Sequence, residues 1–559
     1  VPIQQGLPAT VWGQSSKDVL SVPIGQATVN KQQIFEINQK LTPHALVAGM
    51  AGSGKSNLLH VLITNLAMHY SPAELALYLI DFKQGVEFKI YADHRLPHAK
   101  VIAIQSEREF GLSVLRSLNQ EIERRGTLFR NIGVTNLADF KEKGSQPLQR
   151  AVLVMDEYQM LVSGDDKIAS DSRAILDVIA RQGRALGIHM VLASQSITQG
   201  QLEESTRAQM GIRIALQLNE GDSRRIFSDD NNGAVLLTRS GHAIYNASNG
   251  RPEGNSLFQV FRLAEDTQRE LLQDITIKAR VAFSDFRPVV FDGSASCAMD
   301  ESDFFCSPAP LDKKLVLTLG EPMTLDSSVA VRLQRQRQHN VLFAGTNGDL
   351  VRALFSSALI SAAKVSSSLE GSAFVDFSSP DDPENQAYED LCGSIGKGLS
   401  YFRRRSIEKV VGDLYSETKL RSDEEKVRLP ARLLFINRLQ TARDLEYDSY
   451  VTPGTELTTA QKFAFILRNG SEFGIHVLAT TDSPERAFKV VSRDLQREFG
   501  LRIGTQMAEE SSRLFFGDSA GQRIGVNRAM VFDDELDRKD VFRPYHLPNL
   551  DWIKQAVQA

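Results

Sequence analysis

The chain has 559 residues, a net charge of −5 and a pI near 6.1, with 42% hydrophobic and 24% charged residues. That length exceeds a single core and suits two domains of about 250 residues each, and the mild acidity gives no global argument for a nucleic-acid binder, although a local basic pore lining remains compatible with it. The three cysteines, Cys297, Cys306 and Cys392, show neither a disulfide framework nor paired metal spacing, which points to a reducing compartment.

No apolar run approaches the length of about 18 residues needed to span a bilayer, and no signal peptide opens the chain, so the expected location is the cytoplasm. The first residues, Val1-Pro2, lack a methionine, which suggests a piece of a longer protein with room upstream for a membrane anchor or a partner-binding region.

In chain order, the first informative segment is GMAGSGKS at 49 to 56, a complete P-loop. Leu46-Val47-Ala48 supplies an apolar strand before it, and an amphipathic helix carrying Leu58, Leu59, Val61, Leu62 and Leu66 is expected after it. Gly49, Gly52 and Gly54 permit a tight turn whose N–H groups point at a β-phosphate. Lys55 adds charge to the β- and γ-phosphates, and Ser56 offers a hydroxyl to Mg²⁺ at a helix N-terminus. The expected nucleotide-binding run is therefore Gly49, Met50, Ala51, Gly52, Ser53, Gly54, Lys55, Ser56 and Asn57.

Residues 151 to 157, AVLVMDE, read as a buried parallel strand ending in two carboxylates. Beside a P-loop, Asp156 would hold Mg²⁺, directly or through water, and Glu157 would orient or deprotonate the attacking water. A Ser-, Gly- and Asp-rich stretch near 163 to 171 reads as a surface loop. The strand Met190 to Ser194 ends at Gln195, whose amide is placed to sense a γ-phosphate.

Residues 265 to 310 change character, with acidic clusters and Gly-Ser-Ala-Ser and Ser-Pro-Ala-Pro stretches, and read as a linker with a short strand at Pro288 to Phe291. Beyond it the first pattern returns. Val341 to Gly348 repeats the strand and loop, and Ala373 to Phe377 repeats Leu77 to Phe82. Gly474 to Ala479 repeats Gly187 to Ala193. GLRIGTQMAEESSRLFF at 500 to 516 repeats GIRIALQLNEGDSRRIF at 211 to 227. The same motifs in the same order mark a tandem duplication of one α/β domain.

The second copy has lost its chemistry. Leu350, Val351 and Arg352 replace the Gly, Lys and Ser of the P-loop, and the strand Leu433 to Ile436 ends in Asn437-Arg438 instead of two carboxylates. Hydrolysis there is not expected. What remains is a structural platform, favoured over a pocket that binds without turnover.

Together, GMAGSGKS, LYLIDFK (77 to 83), Leu96-Pro97-His98, the helix EIERRGTLF (121 to 129), VLVMDEY, GRALGIHMVLASQS (183 to 196) and GIRIALQ resemble the FtsK/SpoIIIE family of P-loop motors, within the wider HerA-FtsK group. The resemblance implies two tandem P-loop NTPase (RecA-like) domains, each a mostly parallel sheet with helices on both faces. The active domain would cover 1–264, the linker 265–310 and the degenerate domain 311–559. It implies ATP and Mg²⁺ as cofactors and a homo-oligomer of the ring-hexamer type in which a neighbour's arginine completes each site. Arg116 and Arg184 are the candidates here. Arg213 is another, but its counterpart Arg502 survives in the degenerate copy, which suits a structural role.

Two substrates fit the family: double-stranded DNA, placed first, and protein export substrates, as in the EccC/EssC secretion ATPases. Tandem architecture, Asp81-Phe82-Lys83 and Leu-Pro-His lean to the secretion branch. Gln84-Gly85-Val86-Glu87-Phe88 departs from the Gly-Gly usual after that motif, and the chromosome pumps' winged-helix module is lacking. A motor subunit of an anti-phage or DNA-processing complex, its silent layer docking a nuclease, is a third expectation. A signalling NTPase is disfavoured because no guanine-specificity motif is found.

Overall fold

The computed structural model describes residues 1–83, 87–143, 147–197, 202–283, 288–293, 297–307, 315–325, 329–379, 382, 384–424, 429–446 and 456–558. The chain divides into two compact units, Val1–Ala295 with Thr324–Asp326, and Ser296–Met323 with Ser327–Ala559.

The strands of the first unit are β1 (Val19–Thr28), β2 (Lys31–Asn38), β3 (Ala45–Ala48), β4 (Leu75–Asp81), β5 (Ala99–Ile104), β6 (Arg150–Asp156), β7 (Ile188–Ser194), β8 (Ile212–Ala215), β9 (His242–Asn246), β10 (Asn255–Val260) and β11 (Val289–Asp292). They form one sheet in the order β11-β5-β4-β6-β7-β3-β8-β9-β10-β1-β2. From β11 to β8 the neighbours run parallel, and from β8 to β2 antiparallel. The central strands β3, β6 and β7 are buried along their whole length, as a parallel sheet covered on both faces requires.

The second unit contributes β12 (Cys297–Ala298), β13 (Leu315–Pro322), β14 (Val329–Leu333), β15 (Val341–Ala344), β16 (Ala373–Asp376), β17 (Ser400–Arg403), β18 (Arg432–Asn437), β19 (Ile475–Thr481), β20 (Leu501–Thr505), β21 (Ala529–Asp533) and β22 (Arg538–His546). Its sheet order, β14-β13-β22-β21-β20-β15-β19-β18-β16-β17, with β12 beside β22, reproduces the first sheet strand for strand from β2 to β5. The duplication read from motifs is thus a duplication of topology. Each unit has its own apolar core, one around Leu62, Val154 and Ile214 and the other around Leu359, Phe435 and Ile503.

Three expectations change. Residues 265–310 are largely folded where described: the helix Glu265–Ala282 buries Leu272, Ile275 and Ala279, and β11 pairs with β5. The helix presents a polar outer face, so its sequence reads as an acidic cluster although every third or fourth residue is core. Within the Gly-Ser-Ala-Ser and Ser-Pro-Ala-Pro stretches, residues 294–296 and 308–310 lie outside the described residues, as do Gln84, Gly85 and Val86. The Ser-Gly-Asp stretch is a loop only to Asp166, whose side chain accepts the Ala169 N–H and caps a helix, Lys167–Val178. Finally, the helix after the P-loop, Lys55–His69, is buried on nearly every side instead of amphipathic. Its polar residues are spent on backbone: Asn65 donates to the Pro23 carbonyl at 2.6 Å and the His69 ring meets the Asn65 carbonyl at 2.8 Å.

No helix among the described residues is long and apolar enough to cross a membrane.

Candidate functional site

The P-loop leaves the carboxyl end of β3, between β7 and β8, where an open α/β sheet offers its crevice. Gly52 (φ 78°) and Gly54 (φ 104°) both take left-handed backbone, which only glycine adopts without strain. The loop is held from behind, because the Gly52 carbonyl accepts from Ser240 Oγ at 3.2 Å and the Ser53 carbonyl from the Gly241 N–H at 2.8 Å. A Cβ at Gly54 would lie 3.1 Å from the Gly241 nitrogen, whereas one at Gly52 would meet nothing within 4 Å. The open space at Gly52, beside the start of the helix Lys55–His69, fits a phosphate.

Lys55, Asp156 and Glu157 converge, each at most 5% exposed. Lys55 Nζ bonds Asp156 Oδ1 and lies 3.1 Å from Glu157 Oε1. Glu157 sits just past β6 with φ 55°. Its Oε2 accepts from the Gln195 N–H at 3.2 Å and from the Gln159 side chain. Burial raises the Asp156 carboxyl against the pull of Lys55. At Glu157 burial also pushes upward, but the Lys55 charge and the Gln159, Lys55 and Gln195 hydrogen bonds outweigh it and hold that carboxyl below its ordinary value. Glu157 therefore stays ionised, the state a base requires.

A third carboxylate completes the group. Asp81, at the end of β4, lies in register with Asp156 and is fully buried. Oδ1 accepts the Lys83 N–H at 2.9 Å, while Oδ2 is buried without a hydrogen-bond partner. Burial foremost, with Asp156 and Glu87 adding, pushes it up to about 7 against the Lys83 amide.

Ser56 Oγ donates to Glu87 Oε1 at 2.9 Å. The His60 hydrogen bond, and then that of Ser56, bring Glu87 down to about 2 against burial. In the sequence Glu87 stands only in a departure from a motif, because no spacing rule links a helix residue to a loop that far along the chain. Asp81 stands in the sequence only as part of the Asp81-Phe82-Lys83 motif, and Gln159 carries no motif of its own.

Other expected residues have structural partners. Asn57 belongs to the backbone of the segment after β10, donating to the Phe261 carbonyl at 2.7 Å and accepting the Leu263 N–H at 3.1 Å, so its amide is engaged away from the loop. Met50 is 44% exposed at the loop mouth. Gln195 reaches Glu157 through its backbone. Arg116 pairs with Asp171 at 2.9 Å, and Arg184 is exposed just before β7; burial, with a smaller push from the Arg184 charge, lowers His44 to about 4. Arg213 donates to the Ile226 and Phe227 carbonyls at 3.2 and 2.5 Å, and Arg502 does likewise to Phe515 at 2.9 Å. The pair therefore ties the strand to the end of the following helix in both units.

In the second unit the loop itself has gone. Its helix, Gly348–Val365, begins at the counterpart of Gly52, with Asn347 accepting the Leu350 N–H at 3.2 Å and Arg352 paired with Asp349 at 2.7 Å. Leu350 stands where Gly54 needs φ 104° and is helical instead. Asn437, opposite Asp376 in register, donates to Asp376 Oδ1 at 3.0 Å and accepts from Thr480 at 2.8 Å. The Asp376 carboxylate is thus satisfied where its counterpart Asp81 is left with an orphan oxygen.

A glycine-turned loop at the end of a central parallel strand, with Lys55 and two strand-end carboxylates beneath it, defines a P-loop ATPase. Residues 12–230, within the first unit, match the sequence profile of the FtsK/SpoIIIE family. Over 254 residues the chain is 32% identical to the ESX secretion system protein EccC of Geobacillus thermodenitrificans, covering 44% of this chain and 16% of that protein. Over 245 residues it is 30% identical to the DNA translocase FtsK of Streptococcus pneumoniae, covering 41% of this chain and 30% of that one. The chain thus spans 16% and 30% of the lengths of these two relatives. Among solved structures, the cytoplasmic domain of the Thermomonospora curvata Type VII secretion ATPase EccC aligns with a TM-score of 0.66 at 19% identity over 99% of this chain and 68% of that one. EssC (ATPases 2 and 3) from Geobacillus thermodenitrificans aligns with a TM-score of 0.58 at 13% identity over 97% of this chain and 99% of that one. These two likenesses are of fold, and they extend over both units.

Proposed function

We propose that the chain is an ATP-driven motor in which the first unit hydrolyses ATP and the second is a catalytically silent layer. The observation that carries this reading is the convergence of Lys55, Asp156 and Glu157 under the glycine loop, against its absence in the second unit. Ser56 and Asp156 would hold Mg²⁺, which neutralises phosphate charge when bound. Lys55 pairs with both carboxylates. Phosphates in the loop compete for that ammonium, which frees Glu157 to take a proton from water. Arg116 or Arg184 from a neighbouring copy in a ring would complete the site.

The polymer we infer is double-stranded DNA, supported by the likeness of the catalytic unit to proteins named DNA translocases. A polypeptide is the second reading, favoured by the 32% identity of part of the chain to an ESX secretion system protein and by a fold shared over both units with a secretion ATPase. Steady-state ATP hydrolysis with and without linear duplex DNA, at low and moderate salt, with Glu157→Gln as control, tests both. Salt-sensitive stimulation that vanishes in the variant is the expected result. Hydrolysis indifferent to DNA overturns the DNA reading in favour of a polypeptide, and absence of Glu157-dependent hydrolysis overturns the motor.

A further inference from the structure

Glu87 brings an acidic side chain to Ser56, the hydroxyl of the loop suited to a metal. Ser56 Oγ lies 2.9 Å from Glu87 Oε1, and the other carboxylate oxygen lies 3.3 Å from His60 Nε2. Ser56 and His60 are one turn apart on the same helix and face Glu87 together. Behind them the His60 ring is fixed: its Nδ1 is 2.9 Å from Tyr91 Oη, and Gln268 Nε2 is 3.1 Å from both atoms. Tyr91 is fully buried and Gln268 nearly so, so the support is rigid while Glu87 stays at the solvent side of the loop.

A hydroxyl has one proton and two acceptor lone pairs, whereas an ionised carboxylate only accepts. Asp156 Oδ1 already takes Lys55 and the Glu157 N–H. We propose that Glu87 is a positioning residue for Mg²⁺: by accepting the Ser56 proton it turns the oxygen lone pairs toward the metal of a bound Mg-nucleotide, and its charge strengthens that ligand from behind. The inference rests on the ATPase reading of this site. Groups that orient a metal ligand from the outer shell typically change metal affinity by about 10-fold to 100-fold when removed. In the second unit Arg352 occupies the position of Ser56 and is paired with Asp349, so no such device operates there.

The test is the binding of a fluorescent ATP analogue to wild type, Glu87→Ala and Glu87→Gln, titrated with Mg²⁺ and repeated in excess EDTA. The expected result is a Mg²⁺ midpoint about 10-fold higher in Glu87→Ala. Glu87→Gln, which keeps an acceptor oxygen but not the charge, falls between, and affinity in EDTA is the same for all three. Unshifted midpoints overturn the proposal. So does an equal loss with and without Mg²⁺, which marks a packing defect of the loop. Failure of the wild type to bind the analogue at all is distinguishable from both and counts against the ATPase reading itself.

Discussion

The orphan carboxylate at Asp81 makes the stability of the first unit sensitive to pH. Holding this carboxyl near 7 instead of the ordinary 3.8 means that ionising it in the folded protein costs about 4 kcal/mol more than in the unfolded chain, at about 1.4 kcal/mol per pH unit. Below about pH 4 the group is protonated in both states, and the stability associated with it is fully present. As pH rises from about 4 to 7 the unfolded chain releases the proton while the folded one keeps it, so this stability is lost progressively and is gone above about pH 7. Asp81→Asn removes the titration and supplies an amide that can face Asp156 as Asn437 faces Asp376 at 3.0 Å. The variant is therefore expected to exceed wild type by about 1.5 kcal/mol at pH 5 and about 4 kcal/mol at pH 8, without nucleotide and in EDTA. The two tryptophans make the assay specific. Trp12 packs in the first unit, its indole N–H donating to the Ala67 carbonyl, and Trp552 lies in the second. Urea titrations in a Trp552→Phe background read Trp12 alone. An advantage of Asp81→Asn that is the same at both pH values would refute the reasoning, because the carboxyl would then not be holding a proton in the folded state.

Lys55→Ala is expected to abolish nucleotide binding and also to destabilise the first unit by about 3–5 kcal/mol, since it strands Asp156 and Glu157 in a buried site. Equilibrium nucleotide binding and the Trp12 transition check the two effects separately. Glu157→Gln should retain ATP while single-turnover hydrolysis falls by about 10²- to 10⁴-fold. Gly54→Ala forces an alanine to φ 104° with its Cβ 3.1 Å from the Gly241 nitrogen, and should lose about 1–2 kcal/mol from left-handed strain along with nucleotide affinity. Arg213→Lys and Arg502→Lys should destabilise their own units alike, read by Trp12 and Trp552, with turnover per folded molecule unchanged. A collapse of turnover in Arg213→Lys at unaltered stability would instead place that arginine in catalysis.

The parts of the site legible in the sequence are those fixed by contiguous backbone. GMAGSGKS dictates its own turn, and the apolar run into Asp156-Glu157 dictates a buried strand whose end meets that turn. The duplication was legible because strand and loop motifs return in order. Side-chain contacts were not: Glu87 meets Ser56 from a separate segment, and Gln159 folds back on Glu157 only because the backbone turns at φ 55°. The helix Glu265–Ala282 escaped because few core residues sit among many charges. The buried character of Lys55–His69 follows from β1 on one side and that same helix on another, a layering that no local pattern contains.

The second unit's wound-up loop bears on reversibility. Putting lysine, serine and the two carboxylates back at 351, 352, 437 and 438 would restore charges but no cradle, because Gly348 to Leu350 is the first turn of a helix that Asn347 stabilises. A phosphate there would meet a helix end whose Leu350 N–H is already taken by Asn347, and no loop wrapped around it. The two units thus differ in main chain as well as side chains, and a P-loop at this place would need a glycine at 350 and a weaker cap at 347 before any side chain could count.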